Sequence, residues 1–116
     1  MSRKDIKTEK DVIQALSGWT EFDRSVLVAA FKIPKGKVST YKRIAEKIGR
    51  PNAYRAVGNA LHKNPLYPVV PCHRVVASDG SFSGPLEGAE SRRVRLKSEG
   101  VSLDKGRVKI TRDILY

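Results

Sequence analysis

Two amphipathic helical patterns lie between Thr40 and Asn64 with only Gly49, Arg50 and Pro51 separating them, and this spacing constrains the fold more than any other feature. In the first, Tyr41, Ile44, Ala45 and Ile48 recur at i, i+3, i+4 and i+7, and Thr40 is placed to cap its start. Gly49 suits the left-handed position that ends a helix, and Pro51 cannot continue one because it lacks an amide hydrogen. In the second, Asn52 is a candidate cap, and Ala53, Ala56, Val57, Ala60 and Leu61 form the apolar face. Small alanines there permit close helix approach. A helix, a glycine-containing turn and a second helix predict a helix-turn-helix.

The flanking sequence fits one small, mainly helical α+β domain. At 116 residues the chain suffices for a single modest core. Residues 1–10 are charged throughout and predict a frayed tail without the apolar centre of a signal segment. A short amphipathic piece ends at Gly18, so residues 1–19 read as tail plus short helix and 20–116 as the domain. Thr20 with Asp23 resembles a capping box, opening a helix that Ile33-Pro34 stops. Prolines 68 and 71 exclude a helix before Cys72, and a small hairpin is expected around Asp79-Gly80. A last helix is expected over 89–100, ending at Gly100, followed by a turn at 104–106 and a short strand.

The net charge of +11 is concentrated. From Lys32 to Arg74 there are ten basic residues and one acid, Glu46, a local charge of +9. Such a field points to a polyanion, although a solvated basic face gives the same composition. No amphipathic anchor accompanies it, so a membrane surface is not expected. The single cysteine excludes an internal disulfide and makes a reducing intracellular compartment the expectation. With His62 and His73 as the only histidines, no structural zinc site and no metal are expected.

That cysteine, Cys72, stands in "VVPCHRVVAS" between Pro71 and His73. A thiol becomes nucleophilic as thiolate, which nearby positive charge or a base promotes. A lone cysteine is also commonly small buried filler. The residues alone leave both open.

"NPLYPVVPCHRVV", followed by "SGPL" and "SEG", resembles the active-site region of the O6-alkylguanine-DNA alkyltransferases, the methylated-DNA–protein cysteine methyltransferases. "FKIPKGKVSTYKRIAEKIGRPNAYRAVGNALHKNP" resembles the same family's helix-turn-helix, and the match runs from about Phe22 to Val101. The resemblance implies a winged-helix-like domain without the family's larger amino-terminal domain. It implies that Cys72 accepts the alkyl group, that His73 and Glu99 form a water-linked relay, and that Asn64 braces the active-site turn. It implies that Tyr41 helps rotate the nucleotide and donates to guanine, and that Arg55 fills the vacated place in the duplex. Val75, Ser83 and Gly84 would shape the guanine-reading loop, with Phe82 where a tyrosine is common. DNA contacts would come from Thr40, Tyr41, Lys42, Arg50, Ala53, Arg55, Gly58 and Arg74.

The implied function is single-turnover DNA repair by a monomer, without cofactor, on double-stranded DNA containing O6-alkylguanine, in the cytoplasm, nucleoid or nucleus. Base flipping is required because O6 is inaccessible inside a stacked duplex. The short length resembles the alkyltransferase-like proteins, lesion sensors that recruit excision-repair proteins. Those usually carry another residue in place of the cysteine, so Cys72 favours transfer. A helix-turn-helix regulator with an incidental cysteine has no need of the Cys72, His73 and Glu99 set.

Overall fold

A computed structural model describes residues 5–82 and 86–116, the side chains of Leu86 and Glu87 excepted. The elements are α1 (Glu9–Ala15), α2 (Glu21–Phe31), β1 (Ser39–Thr40), α3 (Tyr41–Lys47), α4 (Tyr54–His62), a 3-10 turn (Cys72–Arg74), β2 (Val75–Val76), α5 (Leu86–Ser98), β3 (Leu103–Asp104) and β4 (Arg107–Val108). The class is α+β and mainly helical, as expected.

Apolar periodicity places the core. Val12 and Leu16 of the first helical segment, Val26, Leu27 and Ala30 of α2, Ile44 and Ala45 of α3, and Val57, Ala60 and Leu61 of α4 share one cluster. Val38, Val76, Leu96, Val101 and Val108 form a second. β1 joins the two clusters by pairing in parallel with β2, Ser39 opposite Val75 and Thr40 opposite Val76. The Cys72–Arg74 turn thus leads directly into a strand anchored on the start of α3.

Several local expectations change. Residues 5–10 are less frayed than predicted: Ile6 is buried, and Thr8 and Asp11 cap α1 reciprocally. The predicted box at Thr20 is half present, with the Thr20 hydroxyl accepting from the Asp23 amide at 3.1 Å. Asn52 does not cap α4, whose N-cap is Ala53 with no side-chain bond. Ala56 is exposed rather than part of the buried face, and α4 turns only Val57, Ala60 and Leu61 inward.

The hairpin expected at Asp79-Gly80 is a tight turn instead, since β2 takes β1 as its partner. α5 starts at Leu86, before the predicted 89. The true hairpin is β3–β4, turned by Lys105 and Gly106 at positive φ, a type I′ geometry matched to strand twist. It docks on the active-site side through Gly80, whose carbonyl accepts from Val108 N at 2.9 Å. Gly80 has φ +83°, and a Cβ there would run into the Val108 carbonyl oxygen. The end of the chain is also tied down: Tyr116 N donates to Val38 O at 2.7 Å, and Arg43 Nε donates to Tyr116 O at 2.9 Å. No helix among the described residues is long and apolar enough to cross a membrane.

Candidate active site

Cys72 opens the 3-10 turn that follows a proline-rich loop, and Asn64 holds that loop in place. The Asn64 amide Nδ2 donates to Val70 O at 2.8 Å, while its Oδ1 accepts from Leu66 N at 2.9 Å. With both functions of its amide used, Asn64 fixes the loop between the end of α4 and the thiol. Cys72 N then donates to Val70 O, and Arg74 N to Pro71 O, each at 2.9 Å. These bonds tighten the turn, so Cys72, His73 and Arg74 leave the backbone in three directions.

Cys72 is half-buried on a pocket of about 180 Å³ that Tyr41, Gly58, Leu61, His62, Asn64, Gly88 and Arg92 complete. Tyr41 begins α3 and lies across Gly58 of α4, where a Cβ would touch its ring at 3.8 Å. The helix-turn-helix therefore supplies one wall, and α5 the opposite one. Burial pushes the Cys72 thiol up, while the Asn64 side chain and the Arg92 charge oppose that shift. A buried thiol of this kind needs a base before it can attack.

His73 points inward and is only 1% exposed. Its Nε2 lies 3.0 Å from Glu99 Oε2. Arg74 grips the same carboxylate with two bonds, Nε to Oε1 at 2.9 Å and Nη2 to Oε2 at 2.8 Å, and donates from Nη1 to Ile33 O at 2.7 Å. For Glu99, burial raises the pKa, but hydrogen bonds from Arg74 and His73 outweigh it and bring the value down to about 2. An ionised carboxylate only accepts, so His73 Nε2 must carry the hydrogen and donate. In the neutral ring Nδ1 is then the unprotonated nitrogen. Nδ1 is buried with no hydrogen-bond partner among the described residues. Burial lowers the His73 pKa and Glu99 raises it in opposition, leaving it below the usual 6.5. The His73 ring is thus held by Glu99 on one side, and the edge of the Tyr67 ring meets it at 5.7 Å and 90°.

The structure therefore gathers Tyr41, Gly58, Asn64 and Cys72 at the pocket, and His73 with Glu99 behind it. Lys42, Arg50 and Arg55 are exposed, and Ala53 is half-buried ahead of α4. Thr40 is buried, and its hydroxyl caps α3 by accepting from Arg43 N at 3.1 Å. Val75 is buried within β2. Phe82 packs beneath the guanidinium groups of Arg92 and Arg93, 5.6 and 5.3 Å from its ring centre. Ser83 and Gly84 lie outside the described residues.

Arg74, expected at DNA, has its guanidinium bound to Glu99 and to Ile33 O. Sequence reasoning missed Leu61, His62, Gly88 and Arg92. Gly88 and Arg92 are one helical turn apart and so share a face of α5. Among the described residues no three His, Cys, Asp or Glu gather as for a metal ion.

A family model described as the DNA binding domain of 6-O-methylguanine DNA methyltransferase matches residues 21–101. The methylated-DNA–protein-cysteine methyltransferase of Methanosarcina barkeri is 48% identical over 80 residues, 69% of this chain and 51% of that protein. The protein of that name in Salmonella typhimurium is 41% identical over 93 residues, 80% of this chain and 54% of its own. The chain thus spans about half the length of the curated relatives it matches. Among solved structures, S. pombe Atl1 in complex with damaged DNA containing O6-carboxymethylguanine aligns with TM-score 0.73 at 35% identity, covering 83% of this chain and 94% of Atl1. Mycobacterium tuberculosis OGT in complex with DNA aligns with TM-score 0.66 at 41% identity, covering 69% of this chain and 50% of that one. By sequence match over most of its length, the chain belongs to the 6-O-methylguanine DNA methyltransferase DNA-binding-domain family.

Proposed function

We propose that this chain repairs O6-alkylguanine in duplex DNA by moving the alkyl group irreversibly onto Cys72. The observation that carries the reading is the base behind the thiol turn: His73, with Nε2 committed to ionised Glu99, keeps Nδ1 as a buried proton acceptor. The Cys72 proton passes through a water to Nδ1. The thiolate then attacks the carbon bound to O6, the S–C bond forms as the C–O6 bond breaks, and the electron pair leaves on guanine. Guanine takes up one proton, so the sum is thiol plus O6-alkylguanine giving thioether plus guanine. Neither water nor a second thiol readily cleaves a thioether, so each molecule acts once.

Delivery of the base depends on the exposed side of α3 and α4. Lys42 and Arg50 contact phosphates, which position the duplex without reading its sequence. Small exposed residues such as Ala56 let α4 approach the minor groove, as Ala53 does at its entry. Arg55 occupies the space left by the extruded nucleotide, and Tyr41 donates to the flipped guanine at the pocket. Extrusion costs a few kcal/mol and is cheaper for a weakened pair.

Intact mass after incubation with O6-methylguanine duplex tests the reading. The expected result is one added methyl, mapped to Cys72, and no addition to Cys72→Ser. A second reading, binding of the lesion without transfer, is favoured by the near-complete overlap with Atl1, a chain of similar extent. Tight lesion binding with an unchanged mass would select it.

A further inference from the structure

The first turn of α4 carries an aromatic ring that the proposed reaction does not use. Tyr54 opens the helix and is 47% exposed. Among the described residues the exposed large apolar side chains are Ile13, Tyr54, Val94 and Tyr116, and of these only Tyr54 belongs to the helix-turn-helix. Its direction follows from the helix period. Tyr54, Gly58, Leu61 and His62 stand at i, i+4, i+7 and i+8 on one face of α4, and the last three line the pocket that Cys72 shares. Tyr54 therefore continues the pocket-lining face outward by one turn, about 6 Å along the helix axis. The Tyr41 ring, which lies on Gly58, marks the inner end of that step. Arg55 is the next residue, about 100° round the helix, and it too is exposed.

A single exposed aromatic needs no explanation on a surface that stays in water. This one lies in the segment of charge +9, on the face that a duplex must meet if a nucleotide is to reach Cys72. Extruding a nucleotide strips a stacking face from each neighbouring base pair, and a planar ring can take its place. Arg55 brings charge and hydrogen bonds to the gap, whereas Tyr54 brings apolar area and a π face. From the position of Tyr54 one turn outside Gly58 and next to Arg55, we propose that Tyr54 is a second flipping residue, whose ring enters the minor groove and stacks on a base pair adjoining the gap. This rests on the base-flipping reading above.

The comparison that isolates the opened site uses an O6-methylguanine duplex and the same duplex carrying guanine. Equilibrium binding is measured by fluorescence anisotropy in a Cys72→Ser background, where no transfer depletes the lesion. Tyr54→Ala places a strong helix former at an exposed position, so the variant keeps its fold. It should weaken the lesion duplex by about fivefold or more, the factor that stacking of one base on an aromatic ring supplies, and the unmodified duplex by less than about twofold. Tyr54→Phe, which keeps the ring and removes the hydroxyl, should retain the parent's preference for the lesion. Equal weakening of both duplexes by Tyr54→Ala would make Tyr54 a general DNA contact and overturn the proposal. A loss in Tyr54→Phe as large as in Tyr54→Ala would move the role from ring to hydroxyl and overturn it as well. A parent preference that Tyr54→Ala leaves intact removes the Tyr54 proposal alone, whereas a parent with no preference for the lesion removes the alkylguanine reading and this proposal with it.

Discussion

Replacing Glu99 by glutamine tests whether one carboxylate holds the site together. Glu99 has a side chain only 8% exposed, and its pKa falls from the ordinary 4.5 to about 2 because the Arg74 and His73 hydrogen bonds outweigh burial. At about 1.4 kcal/mol per pH unit this corresponds to about 3 kcal/mol of folding stability at neutral pH. Breaking a buried ion pair by removing one partner costs a similar amount, about 3–5 kcal/mol, since the other charge is left uncompensated. The glutamine oxygen still accepts one bond from Arg74, so Glu99→Gln should cost about 2–3 kcal/mol at pH 7.

The pH dependence separates this from a general packing loss. A carboxylate with a depressed folded pKa contributes stability above its unfolded value and loses it as pH falls toward the folded value. The parent should therefore weaken between about pH 5 and about pH 2 through Glu99, and the variant should lack that component. His73 shifts the variant the other way. Its folded pKa is already below 6.5 from burial, and Glu99 is what raises it. Without Glu99 it drops further, so the variant should lose more stability than the parent as pH falls below about 6.5. Urea melts across this range, with transfer rates at each pH, provide the assay. The rate profile should move to higher pH, because a weaker His73 base forms less thiolate. Parallel stability curves from about pH 7 to about pH 3 would refute the reasoning, and so would an unmoved rate profile.

Gly80→Ala should destabilise by about 2 kcal/mol or more, since it combines a positive φ with collision against the Val108 carbonyl; a thermal melt within about 2 °C of the parent would contradict the docking of β3–β4. Lys42→Ala and Arg50→Ala should each weaken all duplexes alike and flatten the log K against log salt plot by about one unit. Titrations at several salt concentrations check this, and an unchanged slope excludes the side chain from phosphate contact. Arg55→Ala should slow transfer from duplex DNA far more than from free O6-benzylguanine, which needs no flipping, provided the parent accepts the free base. Equal losses would move Arg55 from the gap to the fold.

The helix-turn-helix was legible because its signals are local. Thr40, Gly49 and Pro51 fix the ends of α3 within a few residues, and the 3.6-residue period fixes its buried face. β2 was not legible in the same way. A two-residue strand carries no period, and its partner, β1, lies 36 positions earlier in the chain; Val75 and Val76 read equally well as half of a local hairpin. Ala56 shows the limit of composition: apolar in the pattern and small enough to lie on either face, it is exposed.

Within "PCHR" adjacency was legible but direction was not, and direction decides the chemistry. An extended segment would alternate its side chains, sending His73 opposite Cys72 and Arg74 back to the same side as the thiol. The 3-10 turn instead gives three outward vectors. Cys72 reaches the pocket, His73 turns into the interior, and Arg74 joins His73 on Glu99. The Arg74 hydrogen bond helps hold Glu99 ionised, and an ionised carboxylate leaves the hydrogen on His73 Nε2 and Nδ1 without one. Arg74→Lys, with one compact donor in place of the fork, would then disturb the rate's pH profile before it disturbed the salt dependence of binding.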